Sequence, residues 1–390
     1  MKNLICILLI FAGLTVKAQQ LFSINGTVTD KMGAVPGAVV FLTNTKYITS
    51  TKNNGKFSIE DLQPGTYELV IKMIGYNPSI QRITLAEKSA SLAIKLDESN
   101  KLLKGVVINE TDPNRGKFMK DFTRHFIGES TNSMDCKIIN PEVLEFHYDK
   151  ATGMLTASSE KLLIVENRGL GYRLNFLITQ FEFDSINMLF YYTGYPYFEE
   201  LKGSPSQQKK WEENRRVAYA GSFNHFFRSV YNNTSASEGF SVFNIPQKVT
   251  SQPTAPIRPI NADSLFMPVN TNLKKLSDRY DKVTDNDTTE LYVVYRGAKA
   301  SFNFTESNLY IQPPVRLSTS REQLSKIQPL TKDIAVSKNG VLIPAKSFLV
   351  SGYWAWKKVA ELTPLDYYDS FSNPELNPPK SSKIITLQAN

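Results

Sequence analysis

The chain has 390 residues, of which 41% are hydrophobic and 21% charged, a composition typical of globular proteins and too apolar for intrinsic disorder. Its formal charge of +8 is spread along the sequence rather than gathered in basic blocks, so we expect no nucleic acid partner. The length allows two or three domains with separate cores, and the 18 tyrosines and 23 phenylalanines favour β structure.

Residues 1–18 have the pattern of a secretory signal peptide. A short positive start is followed by the apolar run Leu4–Leu14, and Val16-Lys17-Ala18 supplies small residues where signal peptidase cleaves. We therefore expect export, to the periplasm or in association with the outer membrane, with no transmembrane segment after signal removal. Only Cys136 then remains, so we expect no internal disulfide.

Strand-like alternation divides residues 21–98 into about seven short strands. Gly55 follows two asparagines between two of these strands and can adopt the positive φ of a tight hairpin. Tyr67, Leu69 and Ile71 alternate along another strand, as residues on one buried face do. The spacing of strands and turns predicts a compact β-sandwich.

The turn residues of this segment also resemble those of a known module. They are, in order, Gly26–Asp30, Gly33, Pro36-Gly37-Ala38, Thr51–Phe57, Leu62–Tyr67 and Gly75-Tyr76. They resemble the carboxypeptidase-regulatory-like domain, which is widespread in envelope proteins of Bacteroidetes. The resemblance implies a prealbumin-like (Ig-like) β-sandwich that serves as a non-catalytic folding or docking accessory. Lys52 departs from the family, which usually has Asp before this hairpin turn, and this makes metal binding in the loop less expected.

The rest of the chain predicts a mainly β protein with a few helices. Residues 99–116 contain one further strand, Leu102–Asn109, and a polar junction. Residues 117–371 predict a larger β-rich α+β domain of unknown function, interrupted by a Pro-rich loop at 245–268. Residues 372–390 form a polar tail. The pattern leaves open whether 117–371 is one domain or two.

The longest helical pattern in the chain is Lys209–Asn233, with apolar residues at three-and-four spacing. Gly221-Ser222 interrupts it as a C′ glycine followed by a serine N-cap would, which predicts two helices. Lys338-Asn339-Gly340 predicts a hairpin turn. Ala300–Phe304 alternates as a strand, and Gly194–Phe198 has the composition of an aromatic loop.

Several motifs of the larger region resemble a Bacteroidetes family of exported proteins that carry the same N-terminal module. They are Phe126–Ser130, Asn140-Pro141, Gly194–Phe198, Lys210–Arg215, Ala218–Ser222, His225–Arg228 and Gly352–Ala355. This resemblance covers nearly the whole mature chain. It implies the compartment but no activity.

The three histidines offer one catalytic interpretation. A zinc peptidase needs His-x-x-Glu with a distant third ligand, and His125 and Glu129 are one residue further apart, with His225 beyond them. The alternative function is therefore a metal-dependent periplasmic hydrolase or peptidase at His125, Glu129 and His225. The opposing interpretation is a surface His125, with His147 and His225 held by internal hydrogen bonds. We expect no metal and no cofactor.

The preferred interpretation is a non-catalytic binding or scaffolding module of the cell envelope, and one form of this role is an accessory to an outer-membrane system. Aromatic and basic side chains on a rigid sheet commonly hold proteins, peptides or sugars, and covering a core is the structural alternative. The partner would be an envelope protein, or a glycan or peptide ligand. The candidate binding surface consists of Tyr195, Tyr197, Trp211, Arg215 and Arg216.

Overall fold

A computed structural model of the chain describes residues 20–99, 113–246, 258–270, 273–276, 289–312, 317–319, 321–331 and 333–367. The expected signal peptide, the Leu102–Asn109 strand, the first half of the junction and the tail from 372 onward lie outside these residues. Within the described ranges, no helix has the length and apolar character needed to cross a bilayer. The fold is mainly β with a few helices, as predicted.

The N-terminal part is the predicted β-sandwich. A three-stranded sheet of order β4-β1-β7 faces a four-stranded sheet of order β3-β2-β5-β6. Tyr67, Leu69 and Ile71 point into the core between the sheets, and Gly55 has a φ of +72°, both as expected. The strands are β1 (Phe22–Thr29), β2 (Val39–Leu42), β3 (Ile48–Ser50), β4 (Lys56–Leu62), β5 (Gly65–Lys72), β6 (Ser79–Leu85) and β7 (Ala90–Lys95).

A helix and an antiparallel sheet form the middle of the chain. In the sheet, β12 pairs along its whole length with β13 on one edge and with β10 and β11 on the other. Phe118, Phe122 and Phe126 recur every four residues on α1 and pack on this sheet. The elements are α1 (Arg115–Phe126), β8 (Cys136–Ile138), β9 (Glu145–Asp149), β10 (Met154–Ser158), β11 (Leu163–Asn167), β12 (Tyr172–Asp184) and β13 (Leu189–Glu200).

The long helical pattern is broken where the sequence predicts. Helices α2 (Pro205–Tyr219) and α3 (Phe223–Asn232) are separated by Gly221, which has a φ of +70°. The Ser222 hydroxyl accepts the His225 backbone N–H at 3.1 Å and caps α3. The predicted glycine stop and serine start are therefore confirmed.

Helix α3 packs at the centre of the hydrophobic core of the C-terminal part. Its Phe226, Phe227 and Val230 contact residues from two four-stranded sheets, of order β14-β17-β18-β21 and β15-β16-β19-β20. The elements are β14 (Phe240–Pro246), β15 (Phe266–Asn270), β16 (Leu273–Leu276), β17 (Thr289–Lys299), α4 (Phe302–Thr305), β18 (Glu322–Pro329), β19 (Ala335–Ser337), β20 (Leu342–Ile343), β21 (Phe348–Gly352) and α5 (Tyr353–Trp356).

Two local predictions are wrong. Ala300–Phe304, predicted as a strand, contains the single helical turn α4. Gly194–Phe198, predicted as a loop, lies inside β13 and pairs with β12. The Pro196 carbonyl points to the outer edge of β13, and the N–H and C=O of one residue in an antiparallel strand point to the same edge. The N–H that proline lacks would therefore not have bonded to β12, so the β12–β13 ladder loses no hydrogen bond.

Candidate binding surface

Tyr195 and Tyr197 lie on the outer face of β13, where the N-terminal sandwich covers them. Tyr197 is buried, and its ring centroid lies 4.8 Å from that of Phe41 on β2. Val70 of β5 and Leu177 of β12 complete the cluster, and Tyr195 packs at its margin. These two tyrosines therefore hold one part of this chain against another.

The sandwich also caps the free edge of β13 with backbone hydrogen bonds. The Asn44 N–H donates to the Pro196 carbonyl at 2.6 Å, and the Phe198 N–H donates to the Thr45 carbonyl at 2.9 Å. The Thr43 hydroxyl donates to the same Pro196 carbonyl at 3.2 Å. An uncovered edge strand would offer these groups to any other strand, so the β2–β3 turn also protects the edge.

Asn339 makes a second polar connection between the sandwich and the C-terminal part. Its side-chain oxygen accepts the Thr66 N–H at 3.2 Å, and its amide nitrogen donates to the Thr66 carbonyl at 2.9 Å. The side chain is buried and pairs with this backbone as a neighbouring strand would. The residue that forms the predicted hairpin turn is thus also a contact between distant parts of the chain.

Arg215 and Arg216 on α2 have different surroundings. The Arg215 guanidinium donates to the carbonyls of Leu170 (2.7 Å) and Gly171 (3.1 Å), and its central carbon lies 3.9 Å from the Tyr172 ring centroid. These contacts fix α2 to the turn before β12. Arg216 is partly exposed and pairs with Glu213, one turn earlier on the same helix, at 3.0 Å.

Trp211 is enclosed by two glycines. Its indole N–H donates to the Arg168 carbonyl at 2.6 Å. A Cβ at Gly171 would lie 2.2 Å from the indole ring, and one at Gly203 would lie 2.6 Å from it. Because glycine backbone covers the ring so closely, Trp211 does not offer an open platform for stacking a sugar or a base.

One side of Trp211 borders a cleft of about 400 Å³. Three cationic side chains line it: Arg168 from the β11–β12 turn, Lys202 from the β13–α2 loop and Lys210 from α2. Its carboxylates are Asp135 and Glu166, and Glu166 accepts hydrogen bonds from Arg173 at 2.7 Å and Arg168 at 3.4 Å. The hydrogen bond from Arg173 has the largest effect on the Glu166 carboxyl and lowers its pKa. Lys202 and Lys210 are therefore the cations best placed to meet an anionic ligand.

A group of charged side chains lies where the sandwich, β13, α2 and the C-terminal segment meet. Lys46 pairs with Glu200 at 3.0 Å and with Asp366 at 3.7 Å, and Arg215 lies 3.9 Å from Glu200. Burial raises the pKa of Asp366, and the Lys46 ammonium offsets part of this effect. The C-terminal segment that carries Asp366 also bonds to the sandwich through its backbone, since the Leu365 N–H donates to the Asn44 carbonyl at 2.6 Å.

The five predicted residues thus do not form one continuous patch. Tyr195 and Tyr197 contact the sandwich, Trp211 and Arg215 pack on the turn before β12, and Arg216 is partly exposed beside them. That this set holds a partner stays a prediction. Sequence reasoning missed the cations of the cleft because Arg168 stands well before Lys202 and Lys210 in the chain and meets them only through the fold.

The histidines of the hydrolase alternative belong to different cores. His125 is buried on α1, with its ring 3.9 Å from that of Phe183. His225 is buried on α3, where Nδ1 accepts the Gly221 N–H at 3.0 Å and Nε2 lies 2.8 Å from a Glu238 oxygen. His147 is the exposed one, so the expected positions of His125 and His147 are reversed. Among the described residues, no group of three His, Cys, Asp or Glu side chains is arranged to hold a metal.

The buried His125 predicts a loss of stability in mild acid. Burial, assisted by Lys358 and Arg124, lowers its pKa from 6.5 to about 4. The unfolded chain therefore binds this proton first, and the stabilisation present above pH 6.5 is lost as the pH falls towards 4. By pH 4.5 the His125 contribution to the free energy of unfolding should have fallen by about 2 kcal/mol.

Denaturant unfolding at several pH values measures this slope. In His125→Gln the slope between pH 7 and 4.5 should become shallower, and in His147→Gln, which changes an exposed histidine, it should not. Equal slopes for His125→Gln and the wild type would contradict the assignment.

Cys136, the remaining thiol, has the character of a small apolar side chain. It is half-buried on β8, where its Sγ donates to the Asn132 carbonyl at 3.4 Å. Burial, with Glu361 and Asp135 nearby, raises its pKa to about 12. The thiolate needed for nucleophilic chemistry is therefore strongly disfavoured.

Comparisons with solved structures give only distant likenesses. A type II cohesin–X-dockerin complex from Acetivibrio cellulolyticus matches at 19% identity over 20% of this chain and 58% of that chain, with a TM-score of 0.19. BcpA, the major pilin subunit of Bacillus cereus, matches at 7% identity over 85% of this chain and 67% of that chain, with a TM-score of 0.18. A DUF3823 family protein from Parabacteroides merdae matches at 10% identity over 46% of this chain and 82% of that chain, with a TM-score of 0.18. This chain spans less than two thirds of the cohesin–dockerin chain, and TM-scores this low carry no argument.

The comparison with curated proteins gave no match. A family model does match the N-terminal part: residues 24–108 fit the CarboxypepD_reg-like domain. The matched residues include β2 to β7 and β1 from Ile24 onward, and Gly33, Gly37, Gly55 and Gly75 lie in turns or bends with positive φ. The N-terminal module of this chain is therefore a CarboxypepD_reg-like domain.

Proposed function

We propose that the chain is an exported, non-catalytic binding or scaffolding module of the cell envelope, in the periplasm or at the outer membrane. The observation that carries this proposal is the attachment of the CarboxypepD_reg-like domain to β13. Apolar packing around Tyr197 and backbone bonds at Asn44 and Phe198 join the two. A module held in this way presents the chain as one rigid object, which suits a scaffold.

The cleft beside Trp211 is our candidate for the place where a ligand is held. Its floor is fixed, because the Trp211 indole is hydrogen-bonded and enclosed by Gly171 and Gly203. Lys202 and Lys210 are exposed at its rim. We therefore propose a partner that presents an anionic group, carried by an envelope protein, a peptide or a glycan.

Affinity capture from cross-linked cell envelopes, followed by mass spectrometry, tests this role. We expect the tagged mature protein to retain a partner that the variant Arg168→Glu/Lys202→Glu/Lys210→Glu loses, with at least a tenfold fall in recovery. These side chains are at the surface, so the variant should fold. Tyr197, Trp211 and Arg215 are less suitable, because their replacement would disturb packing.

A charge-matched control separates the cleft from general electrostatics. The variant Lys31→Glu/Lys52→Glu/Lys88→Glu makes the same charge change on exposed lysines of the sandwich and should keep the partner. Capture that survives in the cleft variant, or fails equally in both variants, would contradict the proposed site. The hydrolase alternative would instead be favoured by stoichiometric zinc in the purified protein.

A further inference from the structure

Lys46, Glu200 and Asp366 form a group whose members have different geometric roles. The Lys46 Nζ lies 3.0 Å from Glu200 Oε1 and 3.7 Å from Asp366 Oδ2. The Lys46 backbone N–H donates to the other Asp366 oxygen, Oδ1, at 3.2 Å. An amine, a carboxylate that can take its proton and a carboxyl group held by an N–H donor are together the parts of an amide-forming site.

The backbone on both sides of Asp366 is held in place. Arg228 donates to the carbonyls of Leu365 and Tyr367, the residues before and after it. The Leu365 N–H donates to the Asn44 carbonyl at 2.6 Å, in the β2–β3 turn of the sandwich that also carries the amine. The carboxyl group and the amine are therefore kept close to each other. Such proximity removes most of the entropy cost of joining two groups.

The protonation states of the three groups suit a slow reaction. Burial opposes the charge on Lys46, but Asp366 and Glu200 outweigh this effect and raise the Lys46 pKa, so the ammonium is the resting form. Burial raises the pKa of Asp366, which makes its neutral and more electrophilic form easier to reach. Burial would also raise the Glu200 pKa, but Lys46 and Arg215 lower it, so Glu200 is ionised and can accept a proton. Because the reaction occurs once per molecule, a rarely populated amine is sufficient.

We propose that Lys46 and Asp366 join in an intramolecular amide bond, with Glu200 as the proton carrier. The Lys46 Nζ forms a bond to Asp366 Cγ, and the bond from Cγ to Oδ2 breaks. Two of the three ammonium protons pass through Glu200 to Oδ2, which leaves as water, and the amide keeps the third. The Lys46 backbone N–H stabilises the negative charge that develops on Oδ1. Glu200 ends in its original state.

The new bond joins residues that are 320 positions apart in the chain. It replaces two charges by a neutral amide, which removes the cost of holding those charges in a half-buried place. It also ties the CarboxypepD_reg-like domain covalently to the C-terminal segment, and a cross-link over so long a loop restricts the unfolded chain. The cross-link is independent of the cleft and of its ligand.

Peptide mapping of the purified full chain by mass spectrometry tests the proposal. We expect the peptides that contain Lys46 and Asp366 to appear as one linked pair, lighter than their sum by one water. Lys46→Arg and Asp366→Ala should give no linked pair. Glu200→Gln keeps the size of the side chain but cannot take the proton, so it should lower the linked fraction at least tenfold in protein harvested at the same time. Glu200→Asp should restore part of the linkage.

The chain offers two matched controls. Glu199→Gln changes the neighbouring carboxylate on β13, which lies 3.8 Å from Arg173, and this variant should link like the wild type. Lys326 and Glu290 lie at 2.7 Å, but the other Glu290 oxygen accepts the Tyr292 hydroxyl at 2.9 Å, so this lysine has an ion-pair partner without the same arrangement. Their peptides should stay separate in the same digest.

Three results would overturn the proposal. The first is recovery of the wild-type Lys46 peptide without a linked partner, which would leave the group as an ion-pair network only. The second is a linked fraction in Glu200→Gln equal to that of the wild type. The third is linkage of Lys326 to Glu290 to the same extent, since proximity alone would then explain the product. Far-UV circular dichroism of the Glu200 variants separates a loss of proton transfer from a loss of folding.

Discussion

Replacing Arg228 by Met is expected to lower the free energy of unfolding by about 3 kcal/mol or more. Arg228 is buried on α3, where its guanidinium donates to the backbone carbonyls of Asn339 (3.3 Å), Tyr367 (2.7 Å) and Leu365. Methionine fills a similar volume but has no hydrogen-bond donor. The three carbonyls would therefore each lose the hydrogen bond from Arg228, at a buried position where water is a poor replacement. The C-terminal segment and the β19–β20 turn should loosen together.

Urea denaturation followed by tryptophan fluorescence measures the effect. Trp354 packs 5.4 Å from Phe226, on the same helix as Arg228, and reports on this core. Arg228→Lys should recover only part of the loss, because an ammonium cannot match the planar fork of donors. Arg216→Met, at a partly exposed arginine that pairs with the exposed Glu213, should change stability by less than about 0.5 kcal/mol. An Arg228→Met midpoint equal to that of Arg216→Met would refute the role of the buried guanidinium.

Local chemistry made part of this arrangement predictable. Gly221-Ser222 breaks the helix because glycine adopts the left-handed turn without steric strain and because the serine hydroxyl caps the first turn of α3. Gly340 has a φ of +82° in the predicted hairpin, between β19 and β20. Each of these signals acts within a few residues, so one stretch of sequence contains the whole cause.

Contacts between distant segments were not predictable in this way. The sequence around Pro196 predicts a loop, because the partner of the strand's outer edge is Asn44, more than 150 residues earlier in the chain. Asn339 looks like a turn residue until its side chain is found on the backbone of Thr66. The aromatic residues of β13 were predicted to meet a partner; for Tyr197 the structure provides one within the chain, which the alternating pattern could not identify.

Replacing Tyr197 by Ala is expected to release the CarboxypepD_reg-like domain from β13 without unfolding it. The phenol ring fills the space between Phe41, Val70 and Leu177, and its removal should cost about 3 kcal/mol of attachment. The domain keeps its own core between its two sheets, so it should stay folded. Hydrogen–deuterium exchange resolves the two effects, since the Asn44 and Phe198 amides bond across the junction and the Leu69 amide lies within the domain.

We expect exchange at Asn44 and Phe198 to accelerate about a hundredfold in Tyr197→Ala, with little change at Leu69. Tyr191→Ala, on the exposed part of the same strand face, should leave all three amides as in the wild type. If all three accelerate together, the domain and the sheet unfold as one unit, and the junction is part of a single core. If none accelerates, the backbone bonds of the β2–β3 turn hold the junction without the aromatic cluster. Only selective acceleration at Asn44 and Phe198 supports a folded module that the outer face of β13 holds in place as part of a rigid scaffold.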